Sequence, residues 1–182
     1  MMISLKKILI TALGTLSVAL SFTYVSCNPD KCKTIVCAHN GVCDRGICTC
    51  PSGYEGASCE TISRDKFIGN WAVYEKGSIT NAAQYPVSIE RVNKITDVII
   101  RNFYNYFQNP IKAYVIADTL YIPNQQLEGY VVFGQGYISS NTTYGQYGSM
   151  SVRYEVIDTA TNVPNDFGYY LPDGSDPSAW NK

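Results

Sequence analysis

The sequence predicts a mainly β chain in two parts: a small disulfide-stapled module, then an antiparallel β-barrel of about seven or eight strands. Three observations predict it. Six of the seven cysteines crowd between Cys32 and Cys59. Beyond Glu60 the chain holds neither cysteine nor histidine. From Thr61 onward 20 residues are Phe, Trp or Tyr, 13 of them Tyr, and strong β formers stand where runs of helix formers would be. The chain divides into 1–26, an export signal; 27–31, a short anchored N-terminus; 32–60, the stapled module; 61–158, the barrel; and 159–182, an irregular tail.

Residues 1–26 open with Lys6 and Lys7, run apolar from Ile8 to Ala19, and turn more polar from Ser21 to Ser26. Charge, apolar run, polar end is the order of an export signal. It closes on Tyr24-Val25-Ser26-Cys27. This resembles a bacterial lipobox, with Tyr24 standing where an aliphatic residue is usual. The resemblance implies acylation of Cys27 and attachment to the bilayer through it. The odd cysteine count agrees, because a lone exposed thiol is a liability outside the cell. A plain cleaved signal and an uncleaved anchor are the alternatives. Thr11, Thr15, Ser17, Ser21 and Thr23 make the run weakly apolar for a span.

The module cysteines are spaced C-x4-C-x5-C-x4-C-x-C-x8-C. About 28 residues cannot bury enough apolar surface to offset their chain entropy. Disulfides restrict the unfolded chain instead, at roughly 3 kcal/mol for each short loop. Six cysteines admit many pairings, and spacing does not choose among them. Around them lie Asn40-Gly41, Cys48-Thr49-Cys50-Pro51, Gly53-Tyr54 and Gly56. The set resembles the epidermal-growth-factor-like (EGF-like) module over residues 32–60. That resemblance implies Cys32–Cys43, Cys37–Cys48 and Cys50–Cys59. Asn40-Gly41 reads as a tight turn needing positive φ. The Tyr54 ring is expected to cover the last bridge. Zinc held by cysteine and His39 is the rival reading, but the spacing lacks the close Cys-x2-Cys pair that structural zinc favours.

Calcium-binding relatives of such modules place acidic or amide ligands before the first cysteine. Here the segment is Asn28-Pro29-Asp30-Lys31, and an ammonium stands where an oxygen ligand belongs. No calcium, no other metal and no cofactor is expected. Without its leader the chain carries 12 basic against 15 acidic residues. With no basic patch, nucleic acid is not an expected partner. Cys27 lies five positions before Cys32, so the module reads as a short spacer lifting the barrel off the lipid.

Within 61–158, Met150, Val152, Tyr154 and Val156 alternate with Ser151, Arg153 and Glu155, a strand with one wet face. Ile111, Ala113, Val115 and Ala117 alternate likewise, and Asp118-Thr119 turns into Leu120-Tyr121-Ile122, where Pro123 should stop the strand. Val98–Ile100 reads as a strand buried at its start, and Val73–Glu75 and Pro86–Val92 add two more. Gly129, Gly134 and Gly136 punctuate a further strand and point to bends that close a small sheet. Phe67-Ile68-Gly69-Asn70-Trp71 resembles the first-strand Gly-x-Trp motif of lipocalin-like barrels, with Gly69 and Trp71 in those places. The resemblance implies a lipocalin-like barrel closed at its base by Trp71. In so small a domain the interior is open to filling by side chains.

The layout of lipobox, one EGF-like module and a short lipocalin-like domain is similar to a set of Bacteroidetes lipoproteins. Gly69-Asn70-Trp71, Ile122-Pro123-Asn124-Gln125 and Gly134-Gln135-Gly136 carry that likeness. It implies a bacterial outer-membrane or cell-envelope location, facing periplasm or exterior, and no activity. Asp118-Thr119-Leu120 and Asp158-Thr159-Ala160 resemble the sites such bacteria O-glycosylate, making Thr119 and Thr159 candidates beside simple turn chemistry.

Catalytic residues are not expected. His39 is the only histidine and lies in the module, so a nucleophile in 61–182 has no histidine base. The carboxylates Glu75, Glu90, Asp97, Asp118, Glu128 and Glu155 read mostly as strand ends or outward faces. Aromatic crowding is the remaining hint. Phe103, Tyr104, Tyr106 and Phe107, with Tyr144 and Tyr147, form a candidate binding rim. Two functions follow. One is an envelope-anchored binding or adhesion protein for glycan or protein. The other is a carrier of a small apolar ligand in a lipocalin-like cavity.

Overall fold

The computed structural model describes residues 31–170 and 176–182. The expected signal, Cys27, and the Asn28 and Asp30 of the calcium argument lie outside them. The chain is mainly β, with no α-helix among the described residues. Strands β1 (Val42–Asp44) and β2 (Ile47–Thr49) form the module's hairpin, with Cys43 opposite Cys48. Strands β3 (Tyr54–Glu55) and β4 (Thr61–Ile62) form a second small pair. Cys32 joins Cys43, Cys37 joins Cys48 and Cys50 joins Cys59. Sulfur stands in for a core: Cys48 and Cys59 are buried, while Val36, Val42 and Ile47 are exposed.

Two local expectations gain detail. The turn at Asn40-Gly41 has the expected positive φ, carried by Asn40 and by His39 before it. Gly41 is needed for space, since a Cβ there would lie 2.8 Å from Cys59 Sγ. Tyr54 stacks on His39 at 3.8 Å, and His39 Nδ1 donates to the Cys59 carbonyl at 2.9 Å. The Tyr54 ring is thereby linked to the last bridge through the imidazole.

A closed, antiparallel eight-strand barrel follows. Its strands are β5 (Gly69–Glu75), β6 (Ala83–Arg91), β7 (Asp97–Arg101), β8 (Ile111–Ile116), β9 (Thr119–Leu127), β10 (Tyr130–Asn141), β11 (Gly145–Asp158) and β13 (Ser178–Asn181). Each pairs with the next, and β13 closes the ring between β11 and β5. A short strand β12 (Pro164–Phe167) runs along the outer half of β11. The barrel thus extends past residue 158 into the segment expected to be an irregular tail. Ser178 and Trp180 of β13 are buried, and Trp180 lies inside. Four residues after a Pro/Gly/Asp-rich stretch are too few to show alternation, yet two open edges were waiting for them.

Pro123 does not stop β9. The strand passes through it because the ladder shifts by one residue opposite, between Val132 and Gly134. Beyond the proline, Gln125 replaces the missing ladder to β8. Its side-chain amide donates to the Lys112 carbonyl at 2.8 Å and accepts from the Lys112 amide at 3.0 Å. Gly134 lets β11 approach, since a Cβ there would overlap the Arg153 carbonyl and the Tyr154 side chain.

The axis is filled with side chains. Trp71, Val73, Tyr85, Val87, Ile89 and Ile100 on one side meet Leu120, Val132, Met150, Val152, Tyr154 and Trp180 on the other. Trp71 Nε1 donates to the Phe67 carbonyl at 2.8 Å, tying the first strand's indole to the barrel floor. The apolar lipocalin-type lumen of the carrier reading is occupied by this core.

A 3-10 turn, Ser63–Lys66, joins module to barrel. Ser63 N donates to the Gly53 carbonyl at 3.0 Å. Arg64 is buried, and its Nη1 donates to the carbonyls of Val92 (2.8 Å), Lys94 (2.7 Å) and Asp97 (3.2 Å) in the β6–β7 hairpin. Lys66 Nζ pairs with Glu55 of the module at 2.7 Å and with Asp118 of the β8–β9 hairpin. The module is docked on the barrel end that carries the β6–β7 and β8–β9 hairpins.

Candidate functional site

Strand direction assigns every candidate to an end of the barrel. The β6–β7 and β8–β9 hairpins mark the module end, as does Gly69 at the start of β5. The opposite, far end holds Glu75, the start of β6 and the segment after β7. Phe103, Tyr104, Tyr106 and Phe107 therefore lie at the far end, and Tyr144 and Tyr147 at the module end. They do not form one rim.

Their exposure divides them further. Phe103 and Phe107 are buried in the core, at 1% and 3%. Phe103 meets Tyr154 edge-on at 4.7 Å, and Phe107 lies 5.8 Å from Tyr130. Asn102, Tyr104 and Asn105 all have positive φ, and that tight winding turns the two phenylalanines inward. Tyr106 is half exposed, while Tyr104 is half-buried. At the module end, Tyr147 is half-buried with its ring 5.3 Å from Lys66 Nζ, and Tyr144 is exposed on the β10–β11 turn. Thr119 starts β9. Thr159 is exposed, and its amide and hydroxyl both donate to the Gly129 carbonyl, at 2.9 and 2.7 Å. Asp158 Oδ1 accepts from Ala160 N at 2.8 Å, so Asp158-Thr159 is engaged in turn chemistry.

What the far end builds is a hollow of about 260 Å³. Tyr85, Tyr104, Tyr106 and Phe167 supply aromatic wall, and Glu75 supplies a carboxylate. Glu75 accepts from three hydroxyls: from Tyr85 at Oε1, and at Oε2 from Tyr154 (2.8 Å) and Ser178 (2.6 Å). Ser178 Oγ in turn accepts from Trp180 Nε1 at 2.8 Å. Burial pushes the Tyr85 phenol well above its ordinary value, and the Glu75 charge adds to the shift. Burial does the same to Tyr154, reinforced by Tyr85 and Glu75. Both phenols therefore keep their protons and act as donors to the carboxylate.

Strand β12 sets the opposite wall. Asn165 is buried, and its Nδ2 donates to Thr80 Oγ1 and to the Tyr104 hydroxyl, both at 3.0 Å. Its Oδ1 accepts from Ile79 N at 3.1 Å. Phe167 stacks on Tyr154 at 4.3 Å. One side chain thus ties the β5–β6 loop, the β7–β8 segment and β12 around the hollow.

Glu75, Tyr85, Asn165, Phe167 and Ser178 were not among the rim residues expected from sequence. A signal for Glu75 existed: counting by two from Trp71 through Val73 puts position 75 on the inward face. Tyr85 precedes Val87 and Ile89 in the same register. Nothing local pointed to Asn165 or Ser178, because their strands are too short to read.

The N-terminal segment is an EGF-like module by comparison as well as by its bridges. A family profile described as the Teneurin-like EGF domain matches residues 35–61. A "Neurogenic locus notch homolog protein" from Giardia intestinalis is 38% identical over 56 residues. That similarity covers 28% of this chain and 10% of the Giardia protein. The chain spans about a tenth of the length of the curated relative it matches. The profile match falls on the module, and both similarities speak to architecture alone.

Proposed function

We propose that this chain is a non-catalytic binding or adhesion protein of the bacterial cell envelope, lipid-anchored at Cys27, with its binding end at the far mouth of the barrel. An EGF-like module followed by a β-barrel fits a non-catalytic binding role. One observation carries the choice of end: the far mouth gathers Tyr85, Tyr104, Tyr106 and Phe167 around the half-buried Glu75 carboxylate. The half-exposed Tyr106 presents its ring at the same mouth.

The anchor reading fits the geometry. The module and the hollow occupy opposite ends of the barrel, so an acyl chain at Cys27 leaves the hollow facing away from the lipid. Thr119 and Thr159 are proposed as sites of O-glycosylation. Glycans and proteins are the ligand classes to test first. Protein purified from membranes, applied to glycan and lipid arrays, is expected to bind through a surface that Tyr106→Ala removes and Tyr144→Ala leaves intact. Binding indifferent to Tyr106→Ala would refute the far-mouth assignment. Cys27→Ala is expected to release the protein from membranes, and unchanged retention would refute the anchor.

A further inference from the structure

We infer that the far-mouth hollow binds an organic ammonium group, with the Glu75 carboxylate as its anionic anchor and tyrosine rings as its walls. This rests on the far-mouth reading above and assigns the ligand's chemistry.

The argument begins with charge. A half-buried carboxylate without a cation is costly unless hydrogen bonds and a counter-charge compensate it. Among the described residues, every ion pair lies elsewhere: Arg45 pairs with Asp44, Arg64 and Arg91 with Asp65, Lys66 with Glu55 and Asp118, Lys94 with Asp97, and Arg101 with Glu90. Among those residues Glu75 has three hydroxyl donors and no cationic side chain within pairing distance. Lys76, the next residue, is exposed and lines an adjacent hollow that Glu75 also borders, but it forms no ion pair with Glu75. A carboxylate offers about four acceptor positions. Two of the bonds go to Oε2 and one to Oε1, so the free acceptor position belongs to Oε1. The anchor is oriented, and among the described residues no cation pairs with it.

The walls agree with the anchor. Tyrosine faces attract cations, most strongly where water is excluded. Tyr85 is buried, Tyr104 half-buried and Tyr106 half exposed, a gradient from floor to mouth. Tyr104 cannot swing away, because Asn165 holds its hydroxyl at 3.0 Å and Phe167 meets its ring edge-on. A space of about 260 Å³ suits a headgroup-sized cation rather than an oligosaccharide. Neutral sugar would leave the carboxylate's charge unmatched, and an anion would be repelled by it.

The test uses the full chain in detergent and three probes: choline, butylammonium, and 3,3-dimethylbutan-1-ol, the neutral carbon isostere of choline. Binding is followed by calorimetry and by chemical shifts of the tyrosine rings. Either ammonium probe is expected to bind saturably, shift the Tyr106 ring, and bind at least about tenfold more tightly than the neutral isostere. Preference for choline identifies a quaternary head and preference for butylammonium a primary amine, and both support the proposal. Competition by phosphatidylcholine vesicles against free choline then separates a lipid headgroup from a soluble source. Glu75→Gln is expected to abolish the preference for charge. Because Glu75 holds three hydroxyls, Tyr106→Ala serves as a second variant that leaves the core alone and should weaken both ammonium probes. Equal affinity for choline and its isostere, or no ammonium binding up to millimolar concentration, overturns the proposal. Neutral glycan binding at Tyr106 unaffected by Glu75→Gln also overturns it, while leaving the far-mouth reading intact.

Discussion

In the module, Cys48 and Cys59 are the buried apolar side chains among the described residues. In the barrel, buried apolar side chains run from Phe67 to Trp180 without a cysteine among them. The contrast shows what each size of chain can carry. A module of this length has no apolar surplus, so covalent links hold it and its polar groups stay near water. The barrel's core is large enough to accommodate a half-buried Glu75 with its hydroxyl donors. A site that is costly to build therefore sits at the barrel's far mouth rather than in the stapled module.

Breaking the comparison from the barrel side should have the largest effect. Trp180 is fully buried on the strand that closes the ring. Trp180→Ala is expected to cost about 3–5 kcal/mol in urea unfolding followed by near-UV circular dichroism. The module's disulfides should remain formed in that variant. A loss below about 1 kcal/mol would mean that β13 is not part of the barrel's cooperative unit.

From the module side, Cys37→Ser with Cys48→Ser removes a bridge closing 11 residues of sequence separation. The expected loss is about 3 kcal/mol, confined to residues 32–60. The barrel's urea midpoint should not move. A parallel drop in both would show that the two regions unfold as one.

The junction offers a smaller effect. The Lys66 side chain is 6% exposed, with Glu55 and Asp118 as its partners. Burial alone draws its pKa down, but hydrogen bonds and charge from Asp118 and Glu55 outweigh that and raise it above 10.5. The folded value exceeds the unfolded one, so the stabilisation is complete below pH 10.5 and is lost as pH climbs through the raised value. Lys66→Met should weaken docking by about 1–2 kcal/mol and remove this alkaline step. Amide exchange at Gly53 and Thr96 reports it. Persistence of the step in the variant would assign it to another group.

Glu155 should give the smallest change. It is buried under β12, and burial raises its pKa, with the Asp166 charge adding to the rise. The folded state therefore holds this proton more tightly than the unfolded state, and stability declines as pH rises through the raised value. Glu155→Gln is expected to flatten that decline and to raise the melting temperature slightly at pH 7. A lower melting temperature would mean that the carboxylate makes a net favourable contact.

The sequence was legible where period and spacing repeat. Six cysteines at EGF-like intervals, and alternation through Met150–Val156 and Ile111–Val115, carry module and barrel without tertiary information. Legibility failed where a long-range partner decides. Trp180 becomes a barrel residue because β5 and β11 flank it, and Pro123 stays in a strand because β9 itself bulges there, with Pro123 and Asn124 opposite Phe133. Phe103 and Phe107 turn inward through backbone winding at Asn102 and Tyr104. The mouth was half visible: Tyr104 and Tyr106 stood out as aromatics, while Glu75 passed as a strand end. Its role depends on Tyr85, Tyr154 and Ser178, up to 103 residues away in sequence.

Hydrogen exchange on the full chain, with and without a thiol reductant, tests the division of labour most directly. Amides of β1 to β4 should lose their protection on reduction, while those of β5 to β11 and β13 keep theirs. Barrel amides that open together with the module, or module amides that stay protected once reduced, would contradict it.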